Sequence, residues 1–165
     1  MIAKLKGLID STGQGWAVID VGGVGYLVFC SSRTLDQFAI GSATEILVET
    51  HVREDHIHLY GFCDVLERDW FKLLTTVQGV GVKVALGMLG VLSPEQLLQA
   101  IAAQDKTVIT QTPGVGSKLA TRILSELKDK VGSIAIDANL IGIAQGDVVA
   151  NGAGGKALAD AASAL

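Results

Sequence analysis

Two near-copies of one segment, residues 79–89 and 114–124, carry the clearest chemical signal in the sequence. Each copy begins Gly-Val-Gly and places a lysine two positions after the second glycine, and the copies lie 35 positions apart. Each copy follows one amphipathic stretch and opens another, which predicts two helices joined by a tight hairpin. The repetition therefore predicts a tandem pair of helix-hairpin-helix units.

The chemistry that this pattern favours is anion binding. Glycines allow a turn with positive φ and a close approach by a ligand, and the amides that follow are the unpaired N–H groups of a helix N-terminus. Two such units in tandem favour a nucleic-acid backbone as the ligand, with one phosphate at each hairpin. The predicted phosphate-binding residues are Gly79, Val80, Gly81 and Lys83 in the first hairpin, and Gly114, Val115, Gly116, Ser117, Lys118 and Arg122 in the second.

The residues leave alternatives open. The glycines also fit ordinary turns between packed helices, and Arg122 fits a surface ion pair with Glu126 four residues later. A glycosylase or nuclease would combine the second hairpin with a nearby carboxylate, for which Asp129 and Asp137 are the candidates. A protein-interaction module with a vestigial hairpin pair would bind no DNA, and charge reversal at the two hairpin lysines would then change nothing.

Other chemistry-bearing residues are sparse. His56 and His58 alternate onto one face of a predicted strand, but no cysteine or third histidine completes a recognisable ligand spacing, so no metal site is expected. The glycine-rich run at residues 21–26 joins two strands, and no phosphate-binding loop motif occurs, so neither a nucleotide cofactor nor ATP hydrolysis by this chain is expected. Cys30 and Cys63 are predicted to be reduced thiols of a cytosolic protein, because no signal peptide is visible.

Bulk composition restricts the mode of binding. The 165 residues are 49% hydrophobic and carry a formal net charge of −4, with a pI near 5.3. This balance disfavours a protein that coats duplex DNA, but it is compatible with phosphate held by backbone amides and a few local lysines. No apolar run reaches the roughly 18 residues that suggest a membrane helix.

The hydrophobic pattern outside the hairpins predicts an α+β chain, with strands first and helices after them. Residues 1–63 alternate in the manner of short strands separated by glycine-rich turns, with a connection over Ser31–Phe38. A small five-stranded barrel of the OB-fold type is the commonest architecture with this pattern. The five strands are predicted over 2–9, 16–21, 24–30, 45–52 and 57–62.

After residue 63 the hydrophobic period becomes helical, and residues 64–131 are predicted to form an all-α tandem helix-hairpin-helix domain of five helices. Asp64 is the expected N-cap of the first helix, with Glu67 as its capping-box partner, and Ser93 caps a helix that starts at Pro94. Trp70 and Phe71 are expected in the core.

The C-terminal part has a different composition. Residues 132–155 are rich in glycine and alanine and are predicted to be a flexible linker. Residues 156–165 regain helix propensity and are predicted to begin a further, incomplete domain.

Taken in order along residues 1–131, these features resemble the RuvA family, the Holliday-junction-binding subunits of the bacterial RuvAB branch-migration machine. A single helix-hairpin-helix is shared by ligases, nucleases and glycosylases, whereas the barrel sequence, the acidic loop and the tandem hairpins are together specific. The residues that carry the resemblance are Met1-Ile2, Gly7, the run 21–26, Val52-Arg53-Glu54-Asp55, Leu59-Tyr60-Gly61-Phe62, Gly79-Val80-Gly81, Pro113-Gly114-Val115-Gly116 and Glu126-Leu127-Lys128-Asp129.

The resemblance implies a function and an assembly. It implies a non-catalytic, cytoplasmic DNA-binding subunit that acts in recombination, DNA repair and the SOS response. It implies a homotetramer, two of which can enclose a junction as an octamer. It also implies that Glu54 and Asp55 form an acidic pin at the centre of the junction.

The same resemblance implies protein partners. The third domain of RuvA-like chains contacts RuvB, the hexameric ATPase motor that makes the complex an ATP-dependent helicase, and RuvC resolvase is a further expected partner. RuvA-like chains run longer than this sequence, in which residues 156–165 match only the beginning of that third domain. Contact with RuvB is therefore expected to depend on a part of the family pattern that this sequence barely contains.

Overall fold

A closed five-stranded barrel forms the N-terminal part of the computed structural model, which describes residues 1–132. The strands are β1 (Lys4–Gly13), β2 (Trp16–Val21), β3 (Val24–Phe29), β4 (Ala43–Val52) and β5 (Ile57–Phe62). They close in the order β1-β2-β3-β5-β4, with β3 and β5 parallel and the other neighbouring strands antiparallel. The predicted five-stranded barrel is confirmed.

Alternation along the strands supplies the side chains that fill the closed barrel. Successive side chains of a strand point to opposite faces, so every second residue can enter the barrel interior. Gly61 supplies the space where strands crowd: a Cβ there would lie 2.9 Å from Ile46 Cδ1 and 3.1 Å from Cys30 Sγ. The interior consists of Leu5, Ile9, Ala17, Ile19, Val28, Cys30, Ile46, Val48 and Leu59.

Two details of the barrel differ from the prediction. β1 runs to Gly13 rather than ending at Ile9, because an irregularity between Ile9 and Ser11 shifts the register and lets pairing with β2 continue. The expected connection over Ser31–Phe38 contains a short helix, α1 (Ser32–Leu35). The side chain of Ser31 caps α1 by accepting from the Thr34 amide.

The helical part begins directly after β5. Its helices are α2 (Val65–Leu74), α3 (Val82–Val91), α4 (Pro94–Ala103), α5 (Lys106–Ile109) and α6, which covers residues 117–132 of the described chain. Within residues 1–132 this makes five helices after the barrel, as predicted. Residues 1–127 form one compact unit that includes the barrel and most of these helices.

The predicted boundary between residues 63 and 64 stays a prediction, since this compact unit is not divided there. The predicted linker and C-terminal segment fall on residues 133–165, outside the described part of the chain.

Helix capping follows local sequence closely. Asp64 caps α2 by accepting from the Glu67 amide at 2.7 Å, as predicted. Ser93 and Gln96 form a reciprocal capping box at the start of α4, with Pro94 in the first turn. Asp105 caps the short helix α5. These caps satisfy N–H groups that a helix start would otherwise leave unpaired.

The carboxylate of Glu67 has a different role from the one predicted. It is buried and accepts hydrogen bonds from the Ser31 hydroxyl at 2.6 Å, the Thr34 hydroxyl at 2.7 Å and the Cys63 amide at 3.2 Å. The reciprocal half of the predicted capping box is therefore replaced by bonds to the α1 region and to the end of β5. Glu67 ties α2 to the barrel.

Aromatic packing completes this attachment. Phe71 on α2 is fully buried, with its ring centroid 4.9 Å from that of Phe62 and 5.4 Å from that of Tyr60, both on β5. Trp70 is also buried, so the expected core role of both α2 aromatics is confirmed. The hairpins that follow α2 are thereby placed relative to the barrel.

Within the described residues, no single helix is long and apolar enough to cross a membrane. Only α3 and α4 together meet the criteria of length and composition, and they are bent by 99° at the break between them.

Candidate nucleic-acid interface

The two Gly-Val-Gly hairpins have the same backbone construction. The first glycine of each has positive φ, 94° at Gly79 and 86° at Gly114, a conformation that side-chain-bearing residues rarely adopt. The central residues Val80 and Val115 are buried. Their amides donate within the chain, to the carbonyls of Val77 at 3.0 Å and of Thr112 at 3.1 Å. The valines therefore anchor the turns, and their N–H groups are already used.

The hairpins pack against each other reciprocally. A Cβ on Gly79 would lie 3.1 Å from Leu119 Cδ1 on α6, and a Cβ on Gly114 would lie 3.9 Å from Val84 Cγ2 on α3. Val84 and Leu119 occupy equivalent positions in the two copies of the repeat. Each turn thus contacts the helix that follows the other turn, and the two helix starts lie side by side.

These two helix starts lack the side-chain caps found elsewhere. Helices α1, α2, α4 and α5 begin after Ser31, Asp64, Ser93 and Asp105, each of which caps its helix through its side chain. By contrast, α3 begins after Gly81 with no side-chain cap, and α6 begins after a glycine, which has no side chain to offer. In the part of the chain that the structure describes, the first amides of both hairpin helices are left without an acceptor.

The second glycines keep this space open. Gly81 has φ −83° and ψ 175°, which any residue can adopt, and nothing lies within 4 Å of a Cβ built there. Gly116 likewise has open space where a Cβ would lie, and its φ falls outside the left-handed range. Neither glycine is required by packing within the described chain. Each leaves room for a ligand to approach the helix N-terminus.

Three lysines supply positive charge beside these amides. Lys83 and Lys118, both predicted, lie in the first turns of α3 and α6. Lys106 was missed: its Nζ lies 3.1 Å from Ser117 Oγ, which places a further cation at the second hairpin. It lies on α5, outside the repeat, so the spacing that revealed the other two contained no signal for it.

Arg122 connects the second hairpin unit to the first. Its Nε lies 2.9 Å from Glu126 Oε1, the ion pair anticipated as one alternative, and its guanidinium donates to Gln78 Oε1 at 2.6 Å. Gln78 directly precedes Gly79, so Arg122 holds the start of the first turn. Its predicted phosphate-binding role stays a prediction, beside this structural one.

Comparison with known proteins identifies the arrangement. Residues 1–61 match the family model described as the RuvA N terminal domain, and residues 71–129 match the SAM-like Helix-hairpin-helix tandem model. Proteins named Holliday junction branch migration complex subunit RuvA are similar over most or all of the chain. That of Rhodospirillum centenum is 57% identical over 100% of this chain and 81% of its own length. The chain belongs to the RuvA family.

Two further relatives with the same name show how the similarity is distributed. The protein of Methylobacterium radiotolerans is 53% identical over 100% of this chain and 80% of its own length. That of Paramagnetospirillum magneticum is 66% identical over 82% of this chain, a stretch that spans 64% of its own length. The match therefore spans between about two thirds and four fifths of these RuvA relatives.

The loop predicted from the RuvA resemblance to be an acidic pin lies between β4 and β5. It is a tight turn in which the Arg53 amide donates to the His56 carbonyl at 2.8 Å. Glu54 and Asp55 are exposed at its tip. Asp55 Oδ1 lies 2.8 Å from His56 Nδ1, so the loop carboxylate contacts the first residue after the turn tip.

The remaining candidates for chemistry do not assemble a catalytic cluster in the described residues. The rings of His56 and His58 stack with centroids 4.0 Å apart, and no group of three potential metal ligands occurs among residues 1–132. Asp129 is exposed on α6, and Asp137 lies outside the described residues.

Proposed function

We propose that this chain binds Holliday junction DNA through its two hairpins, each of which holds one backbone phosphate. The observation that carries the proposal is the pair of uncapped helix starts at Gly81 and Gly116, set side by side by reciprocal packing and flanked by lysines. The names of the RuvA relatives support the junction as the form of DNA that is bound.

Phosphate recognition follows from the geometry of each helix start. A phosphate oxygen can accept from the free amides at residues 81–84 or 116–119, where the positive end of the helix dipole also favours an anion. Lys83 and Lys118 add charge-assisted contacts. Val80 and Val115 act as anchors, since their amides are used within the turns. These groups read no base edges, so we expect recognition of DNA shape with little base preference.

The exposed acidic loop has a separate role from the hairpins, at the centre of the junction. Carboxylates near crossing phosphates repel them, and ionic screening is weak at separations shorter than the Debye length of about 8–10 Å. In this proposal Glu54 and Asp55 keep the DNA strands apart and guide unpaired bases toward new partners. Their role is steric and electrostatic rather than catalytic.

The wider role follows from the family. We propose a non-catalytic, cytoplasmic subunit that assembles as a homotetramer, or as an octamer around DNA, and holds the junction open during recombination and repair, including the SOS response. RuvB would supply ATP hydrolysis and contact the C-terminal domain, and RuvC would act on the same junction.

The first experiment compares a synthetic four-way junction with linear duplex of equal length, in gel-shift titrations over a range of salt concentrations. We expect a clear preference for the junction, discrete multimeric shifts and an affinity that falls steeply with salt. A base-sequence effect larger than the difference between junction and duplex would contradict the proposal.

A matched pair of double variants tests the hairpins. Lys83→Gln with Lys118→Gln should weaken junction binding and reduce the slope of log affinity against log salt by about two per bound chain. Lys4→Gln with Lys72→Gln makes the same change in net charge at surface ion pairs on β1 and α2, and should leave binding near that of the wild type. Equal junction affinity and salt dependence in the two double variants, or no DNA binding by the wild type, would favour a protein-interaction module.

A further inference from the structure

A cleft of about 930 Å³ lies between the barrel and helix α3. The barrel contributes Phe29, His58 and Tyr60 to one wall, and α3 contributes Val82, Lys83 and Leu86 to the other. Pro113, the residue before the second hairpin, also lines it. The cleft therefore borders the proposed phosphate site on α3 and reaches the residue that precedes the second hairpin.

Aromatic rings dominate the barrel wall. The ring centroid of Phe29 lies 5.2 Å from that of His58 and 5.9 Å from that of Tyr60. His58 stacks in turn on His56, whose Nδ1 contacts Asp55 in the acidic loop. A continuous series of rings thus leads from the acidic loop into the cleft.

The cleft is positively charged and largely apolar, which suits a nucleotide base next to its phosphate. Among the described residues that line it, Lys83 is the one side chain with a permanent charge, and no carboxylate contributes, although the whole chain carries a net charge of −4. Gln14, Ser31 and Ser32 add uncharged polar groups, and the rest of the lining is mostly ring faces and aliphatic groups. These surfaces match the flat apolar faces and polar edges of a nucleobase better than they match a phosphate-sugar backbone.

We propose that this cleft accepts an unpaired nucleobase from the branch point, stacked on Phe29 with the His58 ring at its edge, while its phosphate occupies the N-terminus of α3. This inference rests on the proposed function and specifies a second kind of contact at the same site. Val82 and Lys83 belong both to the cleft wall and to the first turn of α3. Since one sugar joins a base to its phosphate, a nucleotide seated on α3 brings its base to the cleft. Paired bases in an arm are stacked within the duplex and are not available to it.

The test compares two junctions that differ only at the crossover, one fully paired and one with two unpaired thymines. The wild-type protein should bind the second junction more tightly, by roughly 5- to 150-fold, the range that stacking of a base on an aromatic side chain supports. The double variant Phe29→Leu with His58→Ala should lose most of this gain and still bind the fully paired junction like the wild type. A 2-aminopurine placed at the unpaired position should be quenched by the wild type and not by the variant.

His51→Ala is the matched control, because His51 lies directly opposite His58 in the β4–β5 register but does not line the cleft. The His51→Ala protein should still bind the junction with unpaired thymines more tightly than the fully paired junction. The inference is wrong if the wild type gains nothing from unpaired bases while still preferring junction over duplex. It is also wrong if the double variant weakens both junctions equally and changes the oligomeric mass, which would make the cleft a contact between copies. Absence of any junction preference in the wild type would overturn the proposed function itself.

Discussion

The two glycines of the first hairpin should respond differently to the same substitution. Gly79 has φ 94°, and a Cβ there would lie 3.1 Å from Leu119 Cδ1. Gly79→Ala should therefore destabilise the fold by about 1–3 kcal/mol, through backbone strain and a small shift of Leu119. For a chain of this size, the melting temperature should fall by roughly 3–10 °C.

Gly81→Ala should leave the stability of the fold nearly unchanged and weaken junction binding instead. Its φ of −83° suits alanine, and its Cβ would meet nothing within 4 Å. The smaller conformational freedom of alanine in the unfolded chain and its poorer N-cap preference roughly offset each other, so stability should change by less than about 1 kcal/mol. The added methyl group would occupy the approach to the α3 amides. Loss of one charge-assisted contact, about 1.5–3 kcal/mol, predicts junction binding roughly 10- to 150-fold weaker.

The assay pairs thermal unfolding with junction gel shifts, and Gly116→Ala serves as the equivalent substitution in the second hairpin. Gly81→Ala protein that folds normally and binds the junction within about twofold of the wild type would refute the amide-phosphate reasoning. Equal loss of stability in Gly79→Ala and Gly81→Ala would refute the distinction between a turn glycine and a ligand glycine.

Three further predictions concern the barrel and its attachment. Glu67→Gln places an amide donor among the groups that donate to the carboxylate. It should lower the free energy of unfolding, measured in urea, by about 1–3 kcal/mol. An unchanged midpoint of the urea transition would contradict this. Glu54→Gln with Asp55→Asn should keep or tighten junction binding and narrow its preference over duplex, whereas a folded double variant that no longer binds would contradict the pin. Burial, followed by the charge of Glu67, raises the pKa of Cys30 from 9.0 to about 12. The unfolded chain therefore ionises first, so the free energy of unfolding falls as the pH rises from 9 to 12, by about 1 kcal/mol at pH 10. Denaturant titrations at pH 8 and pH 10 should show that Cys30→Ala loses less free energy of unfolding between these two pH values than the wild type does. An equal loss in both proteins would refute the assignment.

Features determined by neighbouring residues were predictable from the sequence. The caps at Asp64 and Ser93 join residues three positions apart, so their spacing is visible in the chain. The tandem hairpins were predicted because both copies repeat the same residues at one offset. The strands were predicted from alternation, which reports directly on the face that is buried.

Features that depend on distant residues were missed. Glu67 was assigned to a capping box because its true partners, Ser31 and Thr34, precede it by 36 and 33 positions. Lys106 belongs to the second hairpin only because α5 packs next to it. The partner of Arg122 in the first hairpin, Gln78, lies 44 positions away. Such pairs leave no periodic signal in one sequence.

The glycines show most clearly what each level determined. The sequence by itself established that two Gly-Val-Gly turns precede two helices and that lysines accompany them, because residue type and spacing are local properties. It could not separate Gly79, which the turn needs for its positive φ, from Gly81, whose φ is ordinary and whose surroundings are open. Only the tertiary structure decided that, because the φ of a glycine and the empty space beside it depend on how the two hairpins pack against each other.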